Sequence, residues 1–342
     1  MSGLIPRFRG ERARRIFRTA TALVFAAAMS SDPAWPADGD FTIVLFPDTQ
    51  YYMTQTRNVI WISQCQWVVD NRLARNIVAV LGLGDATDMA SPPEFEYLRK
   101  GLSLINDARI PLVPLAGTHD YGEAGMGEFQ RGTIDRFNYC VESLGISSKP
   151  WFGGAFEPGY SNYFVKLDVG DRKFLVIALE VYPRRAAVDW AAGVLDANRD
   201  REAIVLTHAY LTPDGKLAQP DEYMGSAHFG LATPELGMCG AQLWDYLIRK
   251  KANIKAVFCA HQLGVFTAYS PGTGDAGNTV HQFIINYQSA PGGGEGWVGL
   301  VEFKSGAGKA AFSAYRTWAR SGLGYDVKRP ASLGPIEVDW AP

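Results

Sequence analysis

Five short apolar runs in this chain each stop at a residue that can bind a metal or carry a proton, and this pattern limits the fold more than any other feature. "FTIVLFPDTQ" (41–50) leads into Asp48 and Gln50, and "NIVAVLGLGDATD" (76–88) leads into Asp85 and Asp88. "IPLVPLAGTHD" (110–120) leads into His119 and Asp120, "AIVLTHA" (203–209) into His208, and "IKAVFCAH" (254–261) into His261. Runs of this length, bounded by Gly, Pro or Asp, read as buried strands opening into loops. Three of the five histidines in the chain therefore sit just past the carboxyl end of a strand, the edge where open α/β sheets bind ligands.

Between the runs lie segments of helical spacing: 58–73, 91–108, 186–199 and 241–251. The second opens with Ser91 and Glu94 at capping-box spacing and Pro92 at the first helical position. From residue 279 the pattern changes to strands joined by short turns, "TVHQFIINYQ", "GWVGLVEF" and "AAFSAYRTWA", which predicts a largely antiparallel C-terminal portion. The Gly- and aromatic-rich stretch near 145–163 reads as an insertion, and "PGGGEGW" (291–297) as a turn, because no helix follows it as in a phosphate-binding loop. With no repeat and no linker, 41–342 is expected to be a single α/β domain.

Residues 1–30 differ from the rest. Six Arg stand against one Glu, followed by the apolar run "TATALVFAAAM", the layout of an export signal too short for a permanent membrane span. "ARRIFRT" (13–19) resembles a twin-arginine signal, which predicts a periplasmic or secreted bacterial protein, with a mitochondrial presequence as the alternative. Residues 31–40 then read as a flexible start to the mature chain. Loss of 1–30 moves the formal charge from −2 to −7, so no general attraction for nucleic acid is expected, and no later stretch is apolar enough for a membrane span. Cys65, Cys140, Cys239 and Cys259 match no zinc pattern and are expected to be mostly unpaired in the core, with room for one disulfide.

The strand-end motifs, "DTQ" (48–50), "GDATD" (84–88), "GTHD" (117–120), "THA" (207–209) and "AHQL" (260–263), resemble in order and spacing those of the calcineurin-like metallophosphoesterases, in a branch with Gln in the first motif. The resemblance covers about 41–304. It implies an α-β-β-α fold, two β-sheets sandwiched between helices, and hydrolysis of a phosphomonoester or phosphodiester by attack of a metal-bound hydroxide. One or two divalent ions per chain, Mn, Fe or Zn, are implied as cofactors. Asp48, Gln50 and Asp85 would serve one metal and Asp85, His208 and His261 the other, with Asp85 bridging. His119 would be the general acid, held in orientation by Asp120.

Two positions depart from the family pattern. Thr118 replaces an Asn ligand, so this metal position is weakened or lost, and Leu263 replaces the last His and can ligate nothing. Two His and one Asp suit a borderline ion such as zinc or iron, whereas the oxygen-only set suits a weaker, harder one. The Asp85–His208–His261 site is thus the one expected to fill. Asp88 reads as a carboxylate behind the ligands. Tyr51, Tyr121 and Tyr210 follow motifs closely and are candidates to line a substrate pocket, with core packing as the alternative. Three functions fit: a metal-dependent phosphoric ester hydrolase, a binding or scaffold protein of the same fold retaining at most one metal, and a single-metal hydrolase of another bond.

Overall fold

The computed structural model describes residues 39–122, 133–222, 224–231, 233–318 and 334–340, all within one compact unit, Trp35–Pro342. Residues 1–38, which carry the expected export signal and most of the expected flexible start, lie outside the described residues. Asp40 is tied down: its carboxylate accepts from Lys304 Nζ at 2.8 Å and from Ser305 N at 3.0 Å.

The chain runs β1 (Phe41–Phe46), α1 (Asn58–Asp70), β2 (Ile77–Gly82), α2 (Pro92–Asp107), β3 (Leu112–Val113) and α3 (Asp135–Glu142). Next come β4 (Phe152–Ala155), β5 (Tyr163–Val169), β6 (Arg172–Leu179), α4 (Arg185–Ala197), β7 (Glu202–Thr207), α5 (Gly240–Tyr246) and β8 (Ile254–Cys259). Strands β9 (Phe266–Thr273), β10 (Thr279–Asn286), β11 (Trp297–Lys304), β12 (Lys309–Arg316) and β13 (Ile336–Asp339) complete it. The capping box forms as expected: Ser91 Oγ bonds Glu94 Oε2 at 2.6 Å, and Ser91 N donates to the same oxygen at 2.9 Å.

Two sheets result, in the orders β13-β12-β11-β1-β2-β3 and β4-β5-β6-β7-β8-β10-β9. Side-chain alternation explains why they stack. Phe174, Val176 and Ala178 of β6 join Phe41, Phe303 and the rest of the inter-sheet core, while Leu175, Ile177 and Leu179 pack with Val188, Ala191 and Leu195 of α4. Ring pairs cross the gap: Phe41–Phe174 at 5.9 Å and Phe283–Phe312 at 4.4 Å between centroids. Helices α1 and α2 cover the outer face of the first sheet and α4 and α5 that of the second, which gives the α-β-β-α layering.

The four cysteines are all buried and free, as expected of mostly unpaired core cysteines. Two differences from the sequence reading matter. The 145–163 stretch supplies β4 and the start of the antiparallel β5. Strand β10, expected in an antiparallel portion, pairs antiparallel with β9 but parallel with β8, so its carboxyl end joins the edge formed by β7 and β8.

Candidate metal centre

Three strand ends converge on one point. Asp85 after β2, His208 after β7 and His261 after β8 are buried, and one ligand atom from each lies within 4.8 Å of the others. The imidazoles are fixed by their far nitrogens. His208 Nδ1 donates to Leu83 O at 2.7 Å, leaving Nε2 3.1 Å from Asp85 Oδ2. His261 Nε2 donates to Met224 O at 3.1 Å and lies 3.0 Å from Tyr182 Oη, which itself donates to Met224 O. This leaves His261 Nδ1 inward. His261 Nδ1 has no hydrogen-bond partner among the described residues, and His208 Nε2 meets only the Asp85 carboxylate.

Buried polar atoms without partners are costly, and the cost is removed by a cation. Metal–ligand bonds of about 2.1 Å place ligand atoms roughly 3 Å apart, as His208 Nε2 and Asp85 Oδ2 are. The backbone is strained at the same place. Asp85 (φ 46°), His261 (φ 75°), Tyr182 (φ 47°) and Met224 (φ 60°) all hold left-handed conformations, each costing about 1–3 kcal/mol. Asp85, His208 and His261 therefore fit a divalent ion.

Electrostatics divide the two imidazoles. Burial disfavours the His208 imidazolium, but Asp85 and Asp48 outweigh it and push its pKa up to about 9. Burial and the neighbouring His208 push His261 down to about 3, so it is neutral and ready to ligate. Burial works against the Asp85 carboxylate too, yet His208 holds its pKa well below the usual range. Asp48 is pushed up to about 7 by burial, against the attraction of His208.

The remaining expected residues divide. Asp48 lies beside the centre, with Oδ1 3.9 Å from His208 Nδ1, but it is not part of the convergent ligand cluster. Gln50 Nε2 donates to Asp88 Oδ1 at 3.2 Å. Thr118 Oγ1 donates to Asp85 Oδ1 at 3.4 Å. Half-buried His119 is held through Nδ1 by Asp88, at 2.7 Å from its carbonyl and 3.5 Å from its carboxylate.

Asp120 does not orient His119. Its oxygens accept from Gly117 N at 2.8 Å, Ala86 N at 3.0 Å, Thr87 N at 2.7 Å and Thr87 Oγ1 at 2.8 Å, so it staples the loops after β2 and β3 together. Burial pushes its pKa up to about 6. Tyr210 lines no pocket: it is buried in the core beside α5 and donates to Gln282 Oε1. Tyr121 is likewise buried, in the inter-sheet core. Tyr51 alone of the three stays half-exposed; burial first and then Asp88 raise its pKa, which places it near the acidic rim.

Two site residues escaped the sequence reading. Asn286 and Gln288, at the end of β10, both donate to Asp48 Oδ2 at 2.8 Å. The signal was present: "FII" (283–285) is one more apolar run ending in polar side chains.

Close approach at Gly117 holds the centre together. A Cβ there would lie 2.2 Å from Asp85 N and Oδ1 and 2.7 Å from His208 Nε2. Gly117→Ala is expected to lower metal affinity by about 10–100-fold, like loss of a residue that orients ligands. Calorimetric titration with Mn²⁺ checks this, with circular dichroism to confirm that the variant folds.

Comparison with solved structures decides the fold. A purple acid phosphatase from yellow lupin (Lupinus luteus) seeds aligns over 89% of this chain and 55% of its own, with a TM-score of 0.53 and 13% identity. The chain has a metallophosphoesterase-like fold. A predicted phosphoesterase from Streptococcus pneumoniae aligns over 83% of this chain and 95% of its own with 12% identity, but its TM-score of 0.31 is too low to bear on the fold. In sequence, the chain is 24% identical over 298 residues to the uncharacterized protein YvnB of Bacillus subtilis (strain 168), covering 85% of this chain and 21% of YvnB. It thus spans about a fifth of that protein's length. No family model matches the chain. In this metallophosphoesterase-like fold the candidate centre lies at the carboxyl edges of both sheets, where parallel β1, β2 and β3 face parallel β7, β8 and β10.

Proposed function

We propose that the protein is an exported, metal-dependent phosphoric ester hydrolase acting on a small phosphomonoester or phosphodiester. The observation that carries this reading is the convergence of Asp85 Oδ2 with the two inward imidazole nitrogens, His208 Nε2 and His261 Nδ1. Bound there, a divalent cation supplies Lewis acidity toward a phosphoryl oxygen and acidifies water.

The chain's own residues do the rest. Leu83 O and Met224 O fix the two imidazoles in the tautomers that ligate. His119 is the proton donor to the leaving oxygen. Its Nδ1 is engaged by Asp88, so Nε2 is the atom that exchanges a proton. Burial opposes the charged form of His119, but Asp85 and then Asp88 outweigh it and raise its pKa, which suits a general acid near neutral pH. Half-exposed Tyr51 would contact substrate in this reading. The acidic mature chain favours a small phosphorylated substrate over general nucleic-acid binding, and among the described residues no helix is long and apolar enough to cross a membrane.

Protein loaded with Mn, Fe or Zn should hydrolyse aryl phosphates or bis-aryl phosphodiesters. His119→Ala should lower turnover by about 10²–10⁴-fold, the share of a general acid, while metal content stays unchanged. A second reading, a metal-binding protein without turnover, is favoured by Leu263, which stands half-exposed where the family places a ligand. Bound metal with no hydrolysis under any of the three ions would decide for it.

A further inference from the structure

Asp48 stands where the resemblance implies a ligand of a second cation, yet the protein already engages both of its oxygens and fills one of them. Oδ2 accepts from Asn286 Nδ2 and Gln288 Nε2, each at 2.8 Å, and Oδ1 accepts from His261 N at 3.4 Å. A carboxylate oxygen has two lone pairs, so Oδ2 is saturated.

The Asn286 amide cannot turn its oxygen toward a metal. Its Nδ2 also donates to Gln262 O at 2.9 Å, and its Oδ1 accepts from Gln288 N at 2.9 Å, so the network fixes its direction. Asp85 divides the same way. Its Oδ1 accepts from His119 N at 2.9 Å and Thr118 Oγ1 at 3.4 Å, while Oδ2 remains for the ion shared with His208 and His261. A bridge from Asp85 that used both of its oxygens would need the one that these donors fill. The other acceptors on this side, Gln50 Oε1 and Gln288 Oε1, are buried without a hydrogen-bond partner, but they are neutral amide oxygens and bring no charge to a cation, and Leu263 adds no donor.

We propose that the centre holds a single divalent cation at Asp85, His208 and His261, and that the Asn286–Gln288 amide pair takes the place of a second one by stabilising the buried Asp48 carboxylate. The proposal rests on the metal-dependent reading above. Asn286 and Gln288 are positioning residues in it: they hold Asp48 and, through the His261 N–H, the loop after β8. The two amide donors offset the burial of Asp48 without adding charge, whereas a second cation would need carboxylate oxygens that amides already engage here, Asp48 Oδ2 by Asn286 and Gln288 and Asp88 Oδ1 by Gln50.

Titration of metal-free full-length protein with Mn²⁺ alone tests it. The wild type should take about one ion per chain, the three-ligand set filling once, and give the electron paramagnetic resonance spectrum of an isolated ion rather than a coupled pair. Gln288→Glu replaces a donor beside Asp48 with a carboxylate and should raise the count to about two, since paired carboxylates recruit a hard cation. Two ions in the wild type overturn the proposal while leaving the metal-dependent reading intact; none overturns both. Gln288→Glu folded but still at one ion overturns the role given to the amide pair, and Asn286→Asp repeats the test if the first variant does not fold.

Discussion

Asp85→Asn is expected to strip the protein of metal and to lower the stability of the metal-free form. Among the described residues, Asp85 is the carboxylate grouped with His208 and His261, and its Oδ2 lies 3.1 Å from His208 Nε2. Asn keeps the shape and can still accept from His119 N, so the change isolates the charge. The loss of affinity should exceed the roughly 10–100-fold seen when only a supporting partner is removed. Hydrolysis should disappear with the metal. In the metal-free protein the same substitution removes the main partner that keeps buried His208 charged up to about 9. At pH 7 the cost is roughly 3 kcal/mol, one pKa unit being worth about 1.4 kcal/mol. The penalty should shrink as pH approaches 9, where His208 of the wild type also loses its proton. Calorimetric titration and denaturant unfolding at two pH values measure both effects. Wild-type affinity in the variant would refute the ligand assignment.

What the sequence exposed and what it hid have separate physical causes. His208 and His261 were legible because each ends an apolar run, and a strand buried on both faces must surface at the sheet edge. Asp85 was legible for the same reason. Roles were harder, because neighbours in sequence need not be neighbours in space. His119 and Asp120 share a tight 3₁₀ turn, in which successive side chains diverge by about 120°, so one reaches the rim and the other turns back into the loops. Tyr210 lies two residues past His208, but the chain bends at His208–Ala209 and sends the ring toward α5. Asn286 and Gln288 stayed hidden because β10 reads as a hairpin strand with β9. Its parallel pairing with β8, which delivers these amides to the site, joins segments with no local signature. Most of the donor set is therefore written in local pattern. The amides that satisfy Asp48 are written in topology.

Metal affinity is expected to rise about 100-fold between pH 7 and pH 9 and then to level off, because one proton must leave for each ion bound. The sign follows from which ligands carry protons. His261, pushed down to about 3, is already neutral across this range and releases nothing. Asp85 is held ionised, since His208 keeps its pKa below the usual carboxylate range despite burial. His208 alone must give up a proton, and it retains one up to about 9. Below that value each unit of pH costs tenfold in apparent affinity; above it the cost vanishes. Asp48, pushed up to about 7, ionises at the lower end of the interval and adds attraction there, so the profile should be steepest just above neutrality. Stability of the metal-free protein should run the other way. A His raised in the folded state contributes fully below its unfolded value of about 6.5, and that contribution is lost as pH climbs through the folded value. Metal-free protein should thus weaken toward pH 9 just as loaded protein gains, and the gap between their unfolding midpoints should widen. Competition titrations across pH, with proton release read from calorimetry in buffers of different ionisation heat, measure the first trend. A flat affinity profile would mean that His208 is neutral before the metal arrives, and the ion pair with Asp85 would then have to be abandoned.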